Sequence, residues 1–253
     1  PLYHPVEAAE QVATLDVITG GKFILAPALG WRDFQFNAFG IPKTDRLGRF
    51  REVLEVMKKF WTQERVTHHG RYFQINDVPG AGGMVQKPHP KMYLAANLER
   101  GVLRAARQAD GWLISSRSTL PTIREQTGLY RDAVKKAGKP GFISAWREMF
   151  VAGSRQEAID IMRPHVEWMY RDRAALGHSQ ELPEADRIDV PFDRILEGRF
   201  ILGSPEECIA EIEKYRELGV DELVLRCQWP GMPNKDSLRA LELFGEKVLP
   251  HFR

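Results

Sequence analysis

The segment from Ser204 to Cys227, SPEECIAEIEKYRELGVDELVLRC, constrains the fold more than any other part of the sequence. A capped helix start is predicted by Ser204, by Pro205 after it and by Glu207 three residues after the serine. Gly219 predicts where that helix ends. The apolar run that follows predicts a buried strand. Because strands joined through helices run parallel and similar units recur along the chain, the sequence predicts an α/β fold with a parallel sheet.

The rest of the chain repeats this alternation, with a β-hairpin around His69-Gly70 where the apolar pattern changes to a period of two. The predicted helices cover 5–19, 44–61, 102–109, 119–137, 154–176, 204–219 and 236–249, and the predicted parallel strands cover 22–29, 92–96, 112–116, 143–151 and 222–227. Such strands fit a (β/α) barrel or an open doubly wound sheet. No G-x-G-x-x-G motif follows any of them, which weakens the case for a dinucleotide-binding fold.

The composition narrows the class of partner. The chain has 253 residues, 43% of them hydrophobic, and its formal net charge of +2 comes without the basic block typical of nucleic-acid binders. No apolar run reaches the roughly 20 residues that cross a bilayer, and no leader is expected at the start. The two cysteines are expected to be reduced thiols. These features predict a cytoplasmic protein that binds small molecules, with no nucleic-acid or membrane partner.

Four segments, in this order, resemble the bacterial luciferase-like superfamily of flavin-dependent monooxygenases and coenzyme F420-dependent oxidoreductases. They are HPVEAAEQVATLDVITGGKFILAPALGW, FGIPKTDRLGRFREVLEVMKKFWTQERVTHHGRYFQI, KPHPKMYLAAN with ARQADGWLIS, and GSPEECIAEIEKYRELGVDELVLR. The resemblance implies a TIM barrel whose carboxyl-terminal mouth holds FMN or F420. It implies one barrel domain over 1–253, with a hairpin and loop insertion at 63–91 and a loop or lid at 177–198.

The predicted barrel is incomplete at its N-terminus. A TIM barrel has eight strands and takes about 30 residues for each βα unit, so roughly 80 to 90 residues are expected before Pro1. By the resemblance, Leu2-Tyr3-His4-Pro5 corresponds to the exit of the third strand. About five of the eight strands are then expected in this chain.

Two candidate site segments lie near the start of the chain, each at a strand exit. The resemblance places the backbone of Gly30 near the flavin ring and Trp31 on the pocket wall; the alternative makes Trp31 a packing residue of the barrel rim. His4 is the candidate acid or base, since imidazole titrates near neutral pH, and a structural histidine is the alternative. Tyr3, beside it, is a candidate substrate contact.

Two loops that follow strands are candidate phosphate sites, because free backbone N–H groups, hydroxyls and guanidinium groups bind phosphate. The first loop contributes Ala96, Asn97, Arg100 and Gly101, and the second contributes Ser115, Ser116 and Arg117. The first loop resembles the segment that members of the luciferase-like family use to bind the phosphate of FMN or F420. The alternative at both loops is a capped helix start.

Arg147 and Arg226 each lie in a predicted strand and are candidate substrate contacts. A charged side chain in a barrel strand either points into the mouth or pairs with a carboxylate, because an unpaired buried charge is costly. Both interpretations stay open for each arginine. His68 and His69 face opposite sides of the hairpin, so they cannot bind one metal, and no other histidine spacing predicts a metal site.

The favoured function is a flavin-dependent oxidoreductase or monooxygenase that acts on a small organic substrate with FMN or F420, as a homodimer. The cofactor of such enzymes supplies the redox chemistry, which accounts for the lack of a nucleophile–base pair in the sequence. The first alternative is a catalytically inactive incomplete barrel that self-associates through its open strand edges. The second is a flavin-free barrel enzyme that acts on a sugar phosphate.

Overall fold

The computed structural model describes residues 1–253, which form two compact units, Pro1–Tyr93 and Leu94–Arg253. Helices and strands alternate through both units. Apart from one antiparallel hairpin, the strands pair in parallel. None of the helices is both long and apolar enough to cross a membrane.

The first unit contains one parallel strand pair and one hairpin. Its elements are α1 (Pro5–Ile18), β1 (Ile24–Leu25), α2 (Asp33–Ala38), α3 (Arg46–Thr62), β2 (Arg65–His69), β3 (Gln74–Pro79) and β4 (Lys91–Ala95), whose last two residues belong to the second unit. β1 pairs with β4 through Ile24 and Lys91. β2 and β3 pair antiparallel and confirm the predicted hairpin. Helices α1 and α3 meet the hairpin in an apolar core that includes Val56, Phe60 and Val66.

The strand predicted over 22–29 is wrong in its length, because only Ile24 and Leu25 pair. Pro27 has no N–H to continue the ladder, which accounts for the early end of the strand. Gly30 then turns the chain at φ 75°, a left-handed conformation that favours glycine. A Cβ atom at this position would lie 3.3 Å from the Phe36 ring, which is a tight contact. A residue without a side chain therefore suits this turn for a second reason.

The second unit continues the alternation to the C-terminus. Its elements are α4 (Glu99–Gln108), β5 (Gly111–Ile114), α5 (Leu120–Lys136), β6 (Ile143–Val151), α6 (Arg155–Ala175), α7 (Phe192–Leu196), β7 (Phe200–Gly203), α8 (Pro205–Glu217), β8 (Glu222–Arg226) and α9 (Asn234–Leu243). The stretch at 177–198, predicted as a loop or lid, consists of two short 3-10 turns followed by α7.

The long strand β6 organises the sheet of the second unit. β5 pairs with its first residues, β8 pairs with it from Ser144 to Glu148, and β7 pairs with it from Glu148 to Val151. Strand β7 was not among the predicted strands, since its four residues follow a polar, proline-containing stretch. β7 and α6 share the main apolar core of this unit with α7, and Tyr170, Phe192 and Phe200 contact one another there.

Two predicted helix caps differ in detail. The capping box of α8 is complete, because Ser204 and Glu207 each accept a backbone N–H from the other residue. At α6 only half of the predicted box forms: Ser154 accepts from Glu157 N, whereas the Glu157 carboxylate accepts from Gly153 N. The end of the closing helix also differs from the prediction of 236–249, since α9 ends at Leu243 and a π turn over 244–248 follows.

Candidate active site

The strongest candidate site lies where β6 and β8 run side by side. Arg226, the last residue of β8, is in register with Glu148, so both side chains project from the same face of the sheet. Oε2 of the fully buried Glu148 accepts hydrogen bonds from Arg226 Nε at 2.7 Å and from Trp229 Nε1 at 3.0 Å. Arg226 Nη2 donates to Oε1. Because both carboxylate oxygens are engaged, Glu148 is suited to orient the guanidinium group and poorly suited to act as a general base.

An aromatic side chain extends this site along β6. Trp146, two residues before Glu148, projects from the same face and is half-buried. Its ring centroid lies 5.1 Å from the guanidinium carbon of Arg226. The Arg226 guanidinium is thus held by the Glu148 carboxylate and by a cation–π contact with the flat Trp146 ring.

Two further arginines act on the same region. The guanidinium carbon of Arg117 lies 5.5 Å from the ring centroid of Tyr170, whose buried hydroxyl has no hydrogen-bond partner. Burial, and then the charge of Glu148, raise the pKa of Tyr170 to about 12. Burial, and then the positive charges of Arg117 and Arg226, lower the pKa of Arg173 to about 10. The charges of Arg117 and Arg226 therefore both disfavour the charged form of Arg173.

Arg117 belongs to the turn that joins β5 to α5. Its Nη1 donates to Ser116 Oγ at 2.6 Å, and its backbone N–H donates to Ser115 Oγ at 3.3 Å. Arg117 is only 3% exposed, yet its Nε and Nη2 have no hydrogen-bond partner. Ser116 is fully buried and Ser115 half-buried. The unpaired hydrogen-bond donors of this turn therefore belong to Arg117, whereas the hydroxyl groups of Ser115 and Ser116 already accept hydrogen bonds from Arg117.

The structure separates the two arginines that the sequence treats alike. Arg147 alternates with Glu148 along β6 and so projects from the opposite face of the sheet. There it is fully buried, donates to Ser115 O at 2.9 Å, and lies 5.0 Å from the ring centroid of Tyr215. The structure brings Arg226, but not Arg147, to the face that carries Trp146. A substrate contact by Arg147 stays a prediction.

The other predicted phosphate loop has a different helix start from the one expected. Leu98 occupies the N-cap position of α4, and Asn97 supplies only its backbone oxygen, which accepts from Gln126 Nε2 at 2.8 Å. Ala96 O accepts from Trp112 Nε1 at 3.0 Å, and a Cβ atom at Gly101 would lie 2.9 Å from the Ala96 Cβ. Gly101 therefore lets α4 approach the strand end closely, and Arg100 is exposed.

Two of the candidates in the first unit, Tyr3 and Gly30, line an apolar cavity of about 320 Å³, and His4 and Trp31 are not among its lining residues. Tyr3 is 61% exposed, and the apolar wall of the cavity includes Leu2, Leu25, Phe50 and Leu54. Trp31 lies 5.0 Å from the guanidinium carbon of Arg32. His4 Nδ1 accepts from Val6 N at 3.4 Å and caps α1, and its ring packs edge-on against Phe73. His4 thus has a structural contact, and its catalytic role stays a prediction.

The sequence did not predict three residues of this site, which are Glu148, Trp146 and Tyr170, nor the shifted pKa of Arg173. Glu148 carried a usable signal, because a carboxylate in the middle of the apolar run ISAWREMFV needs a buried partner. No such signal marks Arg173, which is one of several arginines on α6. Its partial burial depends on how that helix packs.

Comparisons with known proteins agree with this fold. The family model for luciferase-like monooxygenases matches residues 1–222. An F420-dependent glucose-6-phosphate dehydrogenase of Nakamurella multipartita is 27% identical over 265 residues, covering 99% of this chain and 74% of the relative. An FMNH2-dependent dimethylsulfone monooxygenase of Pseudomonas putida is 29% identical over 127 residues, covering 49% of this chain and 35% of that protein.

A solved structure gives the same result for the whole chain. A monooxygenase from Streptomyces bottropensis superimposes with a TM-score of 0.87 and 26% identity, and the match covers 100% of this chain and 75% of that one. The predicted α/β fold of the TIM-barrel type, with an incomplete set of strands, is therefore confirmed. With the family model matching most of its length, this chain belongs to the luciferase-like monooxygenase family.

Proposed function

We propose that this chain is a flavin-dependent oxidoreductase or monooxygenase that uses FMN or F420 to act on a small organic substrate. The named relatives support this function, since one is called an F420-dependent dehydrogenase and another an FMNH2-dependent monooxygenase. The same names speak against the alternative of an inactive, self-associating barrel. The observation that carries the proposal is the buried Arg117 in the turn after β5, whose Nε and Nη2 have no hydrogen-bond partner in the protein and would be paired by an anion.

The turn around Arg117 fits the phosphate that both cofactors carry. Its guanidinium group offers two N–H donors, and a guanidinium binds phosphate through such paired donors. Ser115 and the half-buried Asn97 are the further polar groups proposed to contact the cofactor, with Arg100 as an exposed cation. When bound, the cofactor supplies the hydride-transfer or oxygen chemistry, for which the chain has no group of its own.

The protein's own residues bind and orient the cofactor and substrate and keep water away from them. Glu148 fixes the Arg226 guanidinium at the end of β8, and Trp146 offers a flat apolar surface beside it. Tyr170 keeps its proton into the alkaline pH range, because burial raises its pKa to about 12. Its hydroxyl is therefore a hydrogen-bond donor at this site.

Several further properties belong to the same proposal. Residues 1–253 act as one barrel domain, in which 63–91 is an insertion and 177–198 is a lid. The active protein is a cytoplasmic homodimer. His4 stays the proposed acid or base, Tyr3 a proposed substrate contact, and Gly30 and Trp31 proposed cofactor contacts. Arg147 stays a proposed substrate contact, although it projects from the face of β6 opposite to Glu148.

The test is a titration of the purified chain with FMN and, separately, with F420, in oxidised and reduced form, followed by cofactor fluorescence. Saturable binding of one cofactor is expected. Arg117→Gln should weaken that binding about tenfold or more, the loss expected for one charge-assisted contact. The matched control is Arg124→Gln, an exposed arginine on α5, which should bind as the parent does. Failure of both cofactors to bind the folded parent would reject the proposal.

A further inference from the structure

Arg199 directly precedes β7 and is only 3% exposed. A buried guanidinium group is costly unless its N–H groups find acceptors. Its Nε donates to Arg117 O at 2.7 Å. Its two terminal nitrogens donate to four carbonyl oxygens of the stretch 177–198, at 3.2 to 3.4 Å, which belong to Ala185, Arg187, Arg194 and Ile195. One buried side chain therefore joins this stretch to the backbone of Arg117.

A second buried residue holds the same turn. Asp186 is fully buried, and its Oδ1 accepts from Thr119 N at 2.9 Å. Before the turn, Arg147 Nη1 donates to Ser115 O at 2.9 Å. The backbone is therefore held at Arg117 itself and two residues to either side of it.

A fixed backbone matters at this turn because the side chain of Arg117 carries the proposed cofactor contact. Its Nε and Nη2 have no hydrogen-bond partner in the protein, while its Nη1 donates to Ser116 Oγ at 2.6 Å. Donors that must meet one phosphate together bind it more weakly when the backbone that carries them is loose, since binding then has to order that backbone. Arg199 can therefore influence cofactor affinity without contacting the cofactor.

We propose that Arg199 is a positioning residue for the cofactor phosphate, because it fixes Arg117 against the stretch 177–198. This inference rests on the proposed function, since it assigns Arg117 to that phosphate. It also makes the order of the stretch and the occupancy of the Arg117 site depend on each other, because coupling between two sites acts equally in both directions.

The test compares each cofactor with its phosphate-free form, FMN with riboflavin and F420 with its phosphate-free chromophore, by fluorescence titration of the full chain. Arg199→Met should raise the dissociation constant of the phosphate-bearing cofactor about tenfold, and that of the phosphate-free form by less than about twofold. A merely structural arginine would shift both constants equally or neither, and either result would overturn the inference. The matched control is Arg194→Met in the same stretch, whose exposed side chain should leave both constants unchanged.

A double-mutant cycle tests whether Arg199 acts through Arg117. In an Arg117→Gln background, Arg199→Met should weaken binding of the phosphate-bearing cofactor by less than about twofold, because the contact that it positions is already gone. Losses that combine to about a hundredfold would give Arg199 a role independent of Arg117 and overturn the inference.

Hydrogen exchange tests the coupling in the opposite direction. The backbone N–H groups of Asp186 and Arg187 donate to Pro183 O at 2.9 Å and Glu184 O at 3.3 Å, so their exchange reports on the opening of this 3-10 turn. Saturating cofactor should slow their exchange in the parent by up to about tenfold, and should not slow it in Arg199→Met. Equal slowing in the two proteins would contradict the proposed coupling.

A second variant covers the case in which Arg199→Met does not fold. Arg199→Lys keeps the positive charge, but its single ammonium group cannot span the carbonyl groups of two segments as a guanidinium group does. It should fold and should still weaken the phosphate-bearing cofactor about threefold or more relative to the phosphate-free form. An unchanged ratio of the two dissociation constants in Arg199→Lys would overturn the inference.

The parent protein separates this inference from the proposed function. If the parent binds the phosphate-bearing and phosphate-free forms equally well, Arg117 is not a phosphate site; the inference then fails and the proposed flavin-dependent function stands. If the folded parent binds neither FMN nor F420, the proposed function is rejected and the inference with it.

Discussion

At the scale of single residues, Cys208 makes the stability of this protein sensitive to alkaline pH. The thiol lies in α8, is fully inaccessible, and contacts only Gly203 O through a long hydrogen bond of 3.7 Å. Burial, followed by the charge of Glu207, raises its pKa to about 12. The unfolded thiol loses its proton near its usual value of about 9, whereas the folded thiol keeps it.

Stability should therefore fall as pH rises from about 9 towards about 12, because the unfolded state binds fewer protons across that range. From pH 8 to 10.5 the contribution of Cys208 amounts to about 2 kcal/mol. Cys208→Ala should lose less free energy of unfolding over this interval than the parent, as measured by urea denaturation at both pH values. Cys227→Ala removes a half-buried thiol whose pKa burial raises in the same direction, so it serves as the comparison and should reduce the loss by less than Cys208→Ala does. Equal slopes for Cys208→Ala and the parent would contradict the prediction.

The same scale shows what a sequence can and cannot reveal about the site. Arg226 could be predicted from its position at a strand end, and the structure places it beside Glu148 and Trp146. Arg147 had the same sequence signal but projects from the other face. The difference is set by strand register, which one sequence does not specify, since a shift of one residue exchanges the two faces.

At the scale of elements, a buried acid from the stretch 177–198 caps α5. Asp186 Oδ1 accepts from Thr119 N at 2.9 Å, from Thr119 Oγ1 at 2.9 Å and from Thr122 Oγ1 at 2.8 Å. Arg199 ties the same stretch to the turn before α5 by donating to Arg117 O at 2.7 Å. The stretch predicted as a lid is thus anchored to the turn that carries Arg117.

Asp186→Ala should destabilise the protein by about 2 to 3 kcal/mol, because it leaves a helix N-terminus and two hydroxyls without their shared acceptor. Asp186→Asn keeps an oxygen acceptor and should cost less. Glu184→Ala, an exposed acid in the same 3-10 turn, should change stability by less than about 0.5 kcal/mol. The measurement is the free energy of unfolding in urea. A loss as small as that of Glu184→Ala would show that Asp186 does not support α5.

Elements with local signals could be predicted, and elements that depend on distant partners could not. The capping box at Ser204, the hairpin at His69-Gly70 and the long amphipathic helix α3 all follow from residues close in sequence. The cap of α5 comes from Asp186, which is 67 residues from Thr119. Only tertiary packing brings such a pair together, so no local pattern indicates it.

At the scale of the whole molecule, the edge of β8 bears on how copies of the chain associate. β8 pairs with β6 on one side, and Val224 in its middle is 46% exposed. An open strand edge presents unpaired N–H and C=O groups and promotes association without a fixed end point. A closed homodimer has two subunits and stops there. The two possibilities predict different dependences of mass on concentration.

We expect a closed homodimer, so light scattering should give twice the chain mass of 28.9 kDa at both low and high protein concentration. A mass that grows steadily with concentration would instead favour association through the strand edge. Val224→Lys separates the two, because a lysine on an edge strand blocks further pairing. It should abolish growth in mass that arises at this edge, and Leu238→Lys on the exposed side of α9 should not. Because a closed dimer needs no strand pairing at β8, its mass should survive Val224→Lys unchanged.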